Sequence, residues 1–194
     1  MRLGWAVTLT FSAIVAVAVP ATAQSPSTAP AASIPVGPAV EVVATEYHFG
    51  GLPSSVPVGT TLTLVNQGSE LHELIIARKN DGVTQSFEEL LALPNDEALA
   101  YVTLVGQVFA AQGATVEGDI VIAQEGEYIA LCFVPQGMTA LPDPSASPDP
   151  ALMSATPHFA LGMVQLFMVT AAGTEVGPLP SMAPMGSPMA STAP

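Results

Sequence analysis

Histidine, cysteine and methionine side chains bind soft or borderline metal ions, and four of them in this chain have the types and order of one site: His72, Cys132, His158 and Met163. Copper that alternates between Cu(I) and Cu(II) requires a soft thiolate and thioether beside imidazole nitrogens. A single His, Cys or Met is usually a packing or hydrogen-bonded residue, so order and spacing carry the prediction. His158 and Met163 lie five positions apart, around a turn that leads into the last predicted strand. The sequence therefore predicts one copper ion held by these four residues.

Cys132 is the single cysteine of the chain. In an oxidising compartment an unpaired thiol is exposed to oxidation unless it is buried or bound to a metal. A cysteine hydrolase built on Cys132 and His158 is possible in composition only, because no orienting third group can be placed. The lone thiol thus favours a metal ligand over a nucleophile.

Other candidate ligands are less favoured. His48 has no partner of the right type nearby in sequence, and we interpret it as a structural or exposed histidine. Met138 is a rival axial ligand, but Met163 is preferred for its spacing from His158. Three methionines are spaced like a weak Cu(I) site but are interpreted as part of an unstructured tail: Met182, Met185 and Met189.

Short runs rich in β-branched and apolar residues, separated by turn residues, predict the strands that position these side chains. The runs are 40–49, 60–66, 72–77, 116–123, 127–134 and 163–170. One short helix is predicted from the capping box of Ser86 and Glu89, and Pro94 ends it. These elements predict an all-β fold, an antiparallel β-sandwich with one short helix inserted.

Three segments resemble the cupredoxins, the family that includes plastocyanin, amicyanin and the copper domains of nitrite reductases. Residues 64–72 are similar to the family's strand, Asn-containing turn and first histidine ligand. Residues 126–132 match its Gly, Tyr and ligand Cys, and the 158–163 turn has Gly just before Met. The resemblance spans about 40–170. It implies a Greek-key β-sandwich of two antiparallel sheets, with three ligands of a type 1 copper ion on the loop joining the last two strands.

Two features depart from the family pattern. Glu73 follows the first histidine where plastocyanin-like members have Asn, and a carboxylate does not donate the same hydrogen bond to the thiolate. The second is the 25-residue segment 133–157, where familiar members have only a few residues. Loop closure costs only about 0.6 kcal/mol per doubling of length, whereas metal binding can contribute ~10 kcal/mol. The insertion is therefore compatible with a metal site.

The N-terminal residues predict export. A basic start, an apolar run from Leu3 to Val19 and Ala21-Thr22-Ala23 are typical of a secretory signal, residues 1–23. A Pro/Ala/Ser-rich linker (24–38), a copper-binding domain (39–177) and a disordered Met/Pro/Ser tail (178–194) follow. The apolar run is shorter than the ~20 residues that span a bilayer, so no stable membrane insertion is expected after cleavage. The predicted location is secreted or periplasmic.

The net charge of −13, from three basic and 16 acidic residues, argues against nucleic acid and anionic lipid as partners. It favours a redox partner protein with a basic or neutral docking face.

The function predicted from the site is a one-electron carrier and not an enzyme. Oxidases and reductases of the multicopper type need further histidine ligands, and the chain has only three histidines. Two alternatives stay open: an extracytoplasmic copper-binding or trafficking protein, and a metal-free interaction module that keeps the cupredoxin fold.

Overall fold

The computed structural model describes residues 34–143, 145, 147 and 149–179. The predicted signal (1–23), most of the linker and the three tail methionines lie outside the described residues. No helix in the described ranges is both long and apolar enough to cross a membrane.

Nine β-strands and three short α-helices are found in the described part of the chain. The strands are β1 (Ala39–Thr45), β2 (His48–Gly50), β3 (Ser55–Pro57), β4 (Thr61–Asn66), β5 (His72–Lys79), β6 (Val102–Ala110), β7 (Thr115–Val121), β8 (Gly126–Leu131) and β9 (Val164–Thr170). The α-helices are α1 (Phe87–Leu91), α2 (Asn95–Ala98) and α3 (Pro150–Met153), and 3-10 turns occupy Leu99–Tyr101 and His158–Leu161.

The strands form two sheets, ordered β2-β1-β4-β7 and β3-β9-β8-β5-β6. Most neighbours in a sheet are not consecutive in sequence, so connections cross between the sheets as in a Greek-key sandwich. The predicted β-sandwich is confirmed. The sheets are mixed rather than purely antiparallel, because β1 pairs with β4 and β3 with β9 in parallel. In sequence, β2 and β3 lie between β1 and β4, and five strands lie between β3 and β9. In both cases the chain returns to the end of the sheet where the first strand began, so the second strand runs parallel to it.

Several element boundaries differ from the prediction. The predicted strand 40–49 divides into β1 and β2 at a tight turn, where Tyr47 adopts φ 45°. β3 and β6 were not predicted. The capping box of α1 is present, with reciprocal hydrogen bonds between Ser86 and Glu89, but the helix ends at Leu91. α2 and α3 are additional, so the sandwich carries more than one short helix.

In the five-stranded sheet, strand β8 is buried on both faces. Tyr128 and Ala130 face the main core between the sheets, whereas Ile129 and Leu131 face outward. The outward residues pack with Phe87 of α1, so the helical segment covers that face. Burial on both sides explains the nearly continuous apolar run in β8.

Strand directions bring the candidate ligands together. β8 is antiparallel to both β5 and β9, so the start of β5, the end of β8 and the start of β9 lie at one end of the sheet. His72 is the first residue of β5, Cys132 follows β8, and Met163 precedes β9.

Candidate metal centre

His72, Cys132 and His158 form a fully buried cluster at this end of the sandwich. One ligand atom from each lies within 4.8 Å of the others. The Cys132 Sγ is 3.4 Å from His158 Nδ1, and the two imidazole centroids are 5.1 Å apart. The structure thus places three of the four predicted residues within reach of one ion.

His72 provides the test of whether a metal fits. Neither of its ring nitrogens has a hydrogen-bond partner among the described residues, although the side chain is completely buried. Burial, and then the proximity of His158, lower the pKa of His72 to about 4, so the ring is neutral at pH 7. A buried, neutral imidazole with an unpaired nitrogen is suited to a metal ion. The donor set of one thiol and two imidazoles fits copper.

The Cys132 thiol is held by the backbone around it. The N–H of Glu73 donates to Sγ at 3.3 Å, and the N–H of Cys132 donates to the carbonyl of Met163 at 3.3 Å. Burial raises the pKa of the thiol to about 11, while the Glu73 N–H opposes that rise. A metal that binds here must therefore displace the thiol proton.

The long insertion begins and ends in a paired backbone. Phe159 N–H donates to the carbonyl of Cys132 at 2.8 Å, and His158 N–H donates to that of Val134 at 2.9 Å. A β-bridge between Pro135 and Pro157 continues this pairing. The segments that carry Cys132 and His158 are thus held side by side by backbone hydrogen bonds, and this pairing does not depend on the length of the insertion between them.

Both candidate axial methionines lie near the ligand segments. Met163 is fully buried, its N–H donates to the carbonyl of His158 at 3.0 Å, and Gly162 makes the preceding turn with φ 113°. Met138 is partly buried, and its carbonyl accepts from Leu71 N–H at 2.7 Å. The axial role of Met163 stays a prediction.

Glu73 supports the cysteine loop in a different way from the expected Asn. Its carboxylate is buried and accepts from the Phe133 N–H at 3.1 Å and from the Gln107 side chain. The thiol receives its hydrogen bond from the Glu73 backbone instead. Loop support and thiol hydrogen bonding are therefore both present.

A polar turn between β4 and β5 positions His72. The buried Asn66 amide donates to the carbonyls of Glu70 and Ala110, both at 2.8 Å, and its oxygen accepts from Gly68 N–H at 2.8 Å. A Cβ at Gly68 would lie 2.6 Å from Oε1 of Glu46 and 2.7 Å from Nε2 of the buried His72, so a larger residue there would displace one of these side chains. Gly68 lies in the Asn-containing turn on which the sequence resemblance of residues 64–72 is based.

Glu46 and Glu70 were not predicted as part of the site. Glu46 accepts from Ser69 and Glu70 backbone N–H groups; the Ser69 bond is the main cause that lowers its pKa to about 2. Its Oε1 lies 4.0 Å from His72 Nε2. Glu70 Oε2 lies 2.9 Å from His158 Nε2. The contact with His158 spans 88 positions, so only the position of Glu70 two residues before His72 could have suggested it.

His48 begins β2, is exposed, and is not part of the buried cluster.

No family model matches the sequence, and no curated protein matches it. Among solved structures, the chain is similar to a dithionite-reduced auracyanin from the photosynthetic bacterium Roseiflexus castenholzii, with 20% identity over 68% of this chain and 96% of that one, and a TM-score of 0.40. It is also similar to auracyanin B, with 19% identity over 68% and 88% of the two chains and a TM-score of 0.39. Auracyanin A, described as a "blue" copper protein from Chloroflexus aurantiacus, is 15% identical over 68% and 98%, with a TM-score of 0.34.

The structure agrees with the sequence prediction on two points: the described residues form a two-sheet sandwich, and they bury His72, Cys132 and His158 together at one end of it.

Proposed function

We propose that this protein is an exported type 1 copper protein that carries single electrons. The observation that supports it best is the buried cluster of one thiol and two imidazoles, whose ligand atoms lie within 4.8 Å of one another. Bound copper would alternate between Cu(I) and Cu(II) and so store one electron. The chain supplies the ligands and excludes water from them.

The proposed ligands are His72, Cys132 and His158, with Met163 as the axial donor. Each is fully buried, and the backbone hydrogen bonds described above link the segments that carry the last three. A rigid set of ligands suits electron transfer, because little has to move when the charge of the ion changes. The same burial is less suited to copper delivery, which requires ligands that a partner can reach.

Export, location and partner are proposed from the sequence. A lone thiol is protected in an oxidising compartment when it is buried and bound to metal. Of the three basic residues, Arg78 pairs with Asp81 at 2.5 Å and Lys79 pairs with Glu127. Both basic residues of the described ranges are thus paired, and the net charge of −13 supports a redox partner with a basic or neutral docking face.

The experiment that separates a carrier from a copper-delivery protein is repeated reduction and reoxidation in the presence of a competing Cu(I) chelator. A carrier is expected to lose its copper absorption when one electron per chain is added and to regain it on reoxidation. The copper should be retained over many such cycles. A delivery protein would surrender its copper to the chelator in the reduced state, and that result would contradict the proposal.

A further inference from the structure

The Glu70 carboxylate joins three separate segments around His158. Its Oε2 is 2.9 Å from His158 Nε2 and accepts from the Gly137 N–H at 2.7 Å. Its Oε1 accepts from the Tyr47 hydroxyl at 3.1 Å. The Glu70 side chain is only 16% exposed, so these bonds are partly shielded from water.

These contacts favour one orientation and one tautomer of the His158 ring. When a carboxylate oxygen accepts a hydrogen bond from Nε2, the single proton of a neutral imidazole lies on Nε2, and Nδ1 keeps the free lone pair. Nδ1 is the atom that lies 3.4 Å from the Cys132 sulfur. The Tyr47 ring packs edge-on against the His158 ring with centroids 4.9 Å apart, and the tilted His72 ring lies 5.1 Å away, so two rings pack against the imidazole.

We propose that Glu70 is a positioning residue of the metal site, whose carboxylate fixes His158 with Nε2 protonated and Nδ1 turned toward the ion. The identity of the ion as copper rests on the proposed function, whereas the orientation of the ring belongs to the folded chain itself. The carboxylate also places a negative charge beside the ligand, which increases the electron donation of the imidazole and favours Cu(II) over Cu(I).

Two other glutamates lie near the ligands but bond elsewhere. The Glu46 carboxylate accepts from Ser69 and Glu70 and remains 4.0 Å from His72 Nε2. The Glu73 carboxylate accepts from Phe133 and Gln107. Within the described residues, Glu70 is therefore the carboxylate that directly holds a ligand ring.

Glu70→Gln and Glu70→Ala separate charge from geometry. A glutamine oxygen in place of Oε2 can still accept from His158 and Gly137, and its NH2 can donate to the Tyr47 hydroxyl. Glu70→Gln therefore keeps all three hydrogen bonds and removes only the charge, whereas Glu70→Ala removes both. Glu97→Gln and Glu97→Ala, at an exposed position of α2, are matched controls.

The first measurement is nitrogen-15 NMR of the histidine rings in the copper-free protein. Wild type and Glu70→Gln are expected to show His158 in a single form with the proton on Nε2. Glu70→Ala is expected to show a mixture of tautomers. A single Nε2-protonated form in a folded Glu70→Ala variant would overturn the proposal, whether or not the protein binds copper.

The second measurement is Cu(II) affinity and reduction potential. Glu70→Ala is expected to bind Cu(II) about 10- to 100-fold more weakly. Glu70→Gln is expected to keep the wild-type absorption spectrum but to show a higher potential. Wild-type affinity and potential in both variants would overturn the proposal, while failure of the wild type itself to bind copper would overturn only the proposed function.

Discussion

Three glutamates lie beside the candidate ligands, and each approaches a different one. Glu46 is 4.0 Å from His72 and Glu70 is 2.9 Å from His158, while the Glu73 N–H donates to Cys132. Glu70 and Glu73 are largely shielded from water whereas Glu46 is 36% exposed, and a negative charge near a bound ion stabilises its more positive state, most strongly where water is excluded. We therefore expect this site to favour Cu(II) more strongly than one ringed by apolar residues.

The axial ligand is tested by Met163→Leu. Leucine fills a similar volume but has no sulfur donor, so copper and its thiolate absorption should be retained while the reduction potential rises, because loss of a donor disfavours Cu(II). Voltammetry of the copper-loaded variant measures the shift. Met138→Leu is the matched control and should leave the potential nearly unchanged. A shift in the Met138 variant alone would reassign the axial ligand.

The candidate ligands could be selected from sequence because few residue types bind copper and their order along the chain is informative. His72, Cys132 and His158 do lie together. Glu70 could not be assigned a role in the same way, since its partners Tyr47, Gly137 and His158 meet it only in the folded chain. The sequence argument about Glu73 considered only its side chain, whereas the bond to the thiol comes from its backbone N–H, which every non-proline residue has.

At the scale of elements, the insertion between Cys132 and His158 is anchored at its base. Gly137 N–H donates to Glu70, and the Met138 carbonyl accepts from Leu71. Farther along, Leu141 is exposed. Leu152 lines an apolar cavity of about 700 Å³ on the outer face of the five-stranded sheet. The Leu152 part of the insertion thus lies beside that face, whereas the contacts that hold the ligand segments are made at the paired base.

Deleting residues 139–154 should therefore leave a folded protein that still binds copper. The deletion keeps Gly137, Met138 and the paired base, and the change in loop-closure free energy is on the order of 1–2 kcal/mol. Copper dissociation and thermal unfolding of the deletion variant test this expectation. Leu152→Ala in the full-length chain is the control for lost cavity contacts. A deletion variant that folds but loses copper rapidly would show that the tip belongs to the site.

Local patterns predicted most strands but not how they pair. The capping box of Ser86 and Glu89 determined the start of α1 because both partners are close in sequence. β6 was missed because it lies at the sheet edge, and its mixed burial gives no clean alternation. The parallel pairing of β1 with β4 depends on chain crossings that no local run of residues encodes.

At the scale of the whole molecule, the buried polar residues around the candidate metal site affect both the stability of the fold and the proposed function. One end of the sandwich buries three polar ligand residues and the nearby Glu73 and Asn66. The side chains of Asn66 and Glu73 form hydrogen bonds within the protein, whereas neither ring nitrogen of His72 has a partner among the described residues. Such an unpaired buried group is costly without a partner, so copper binding should also stabilise the fold.

The most direct test of this account is addition of Cu(II) to the purified protein, with metal content and visible absorption measured on wild type and Cys132→Ser. We predict one copper per chain and an intense thiolate-to-copper absorption in the wild type, and loss of that absorption in Cys132→Ser, because a hydroxyl cannot replace a deprotonated sulfur. A wild type that takes up no copper, or a Cys132→Ser variant that keeps the absorption, would contradict it.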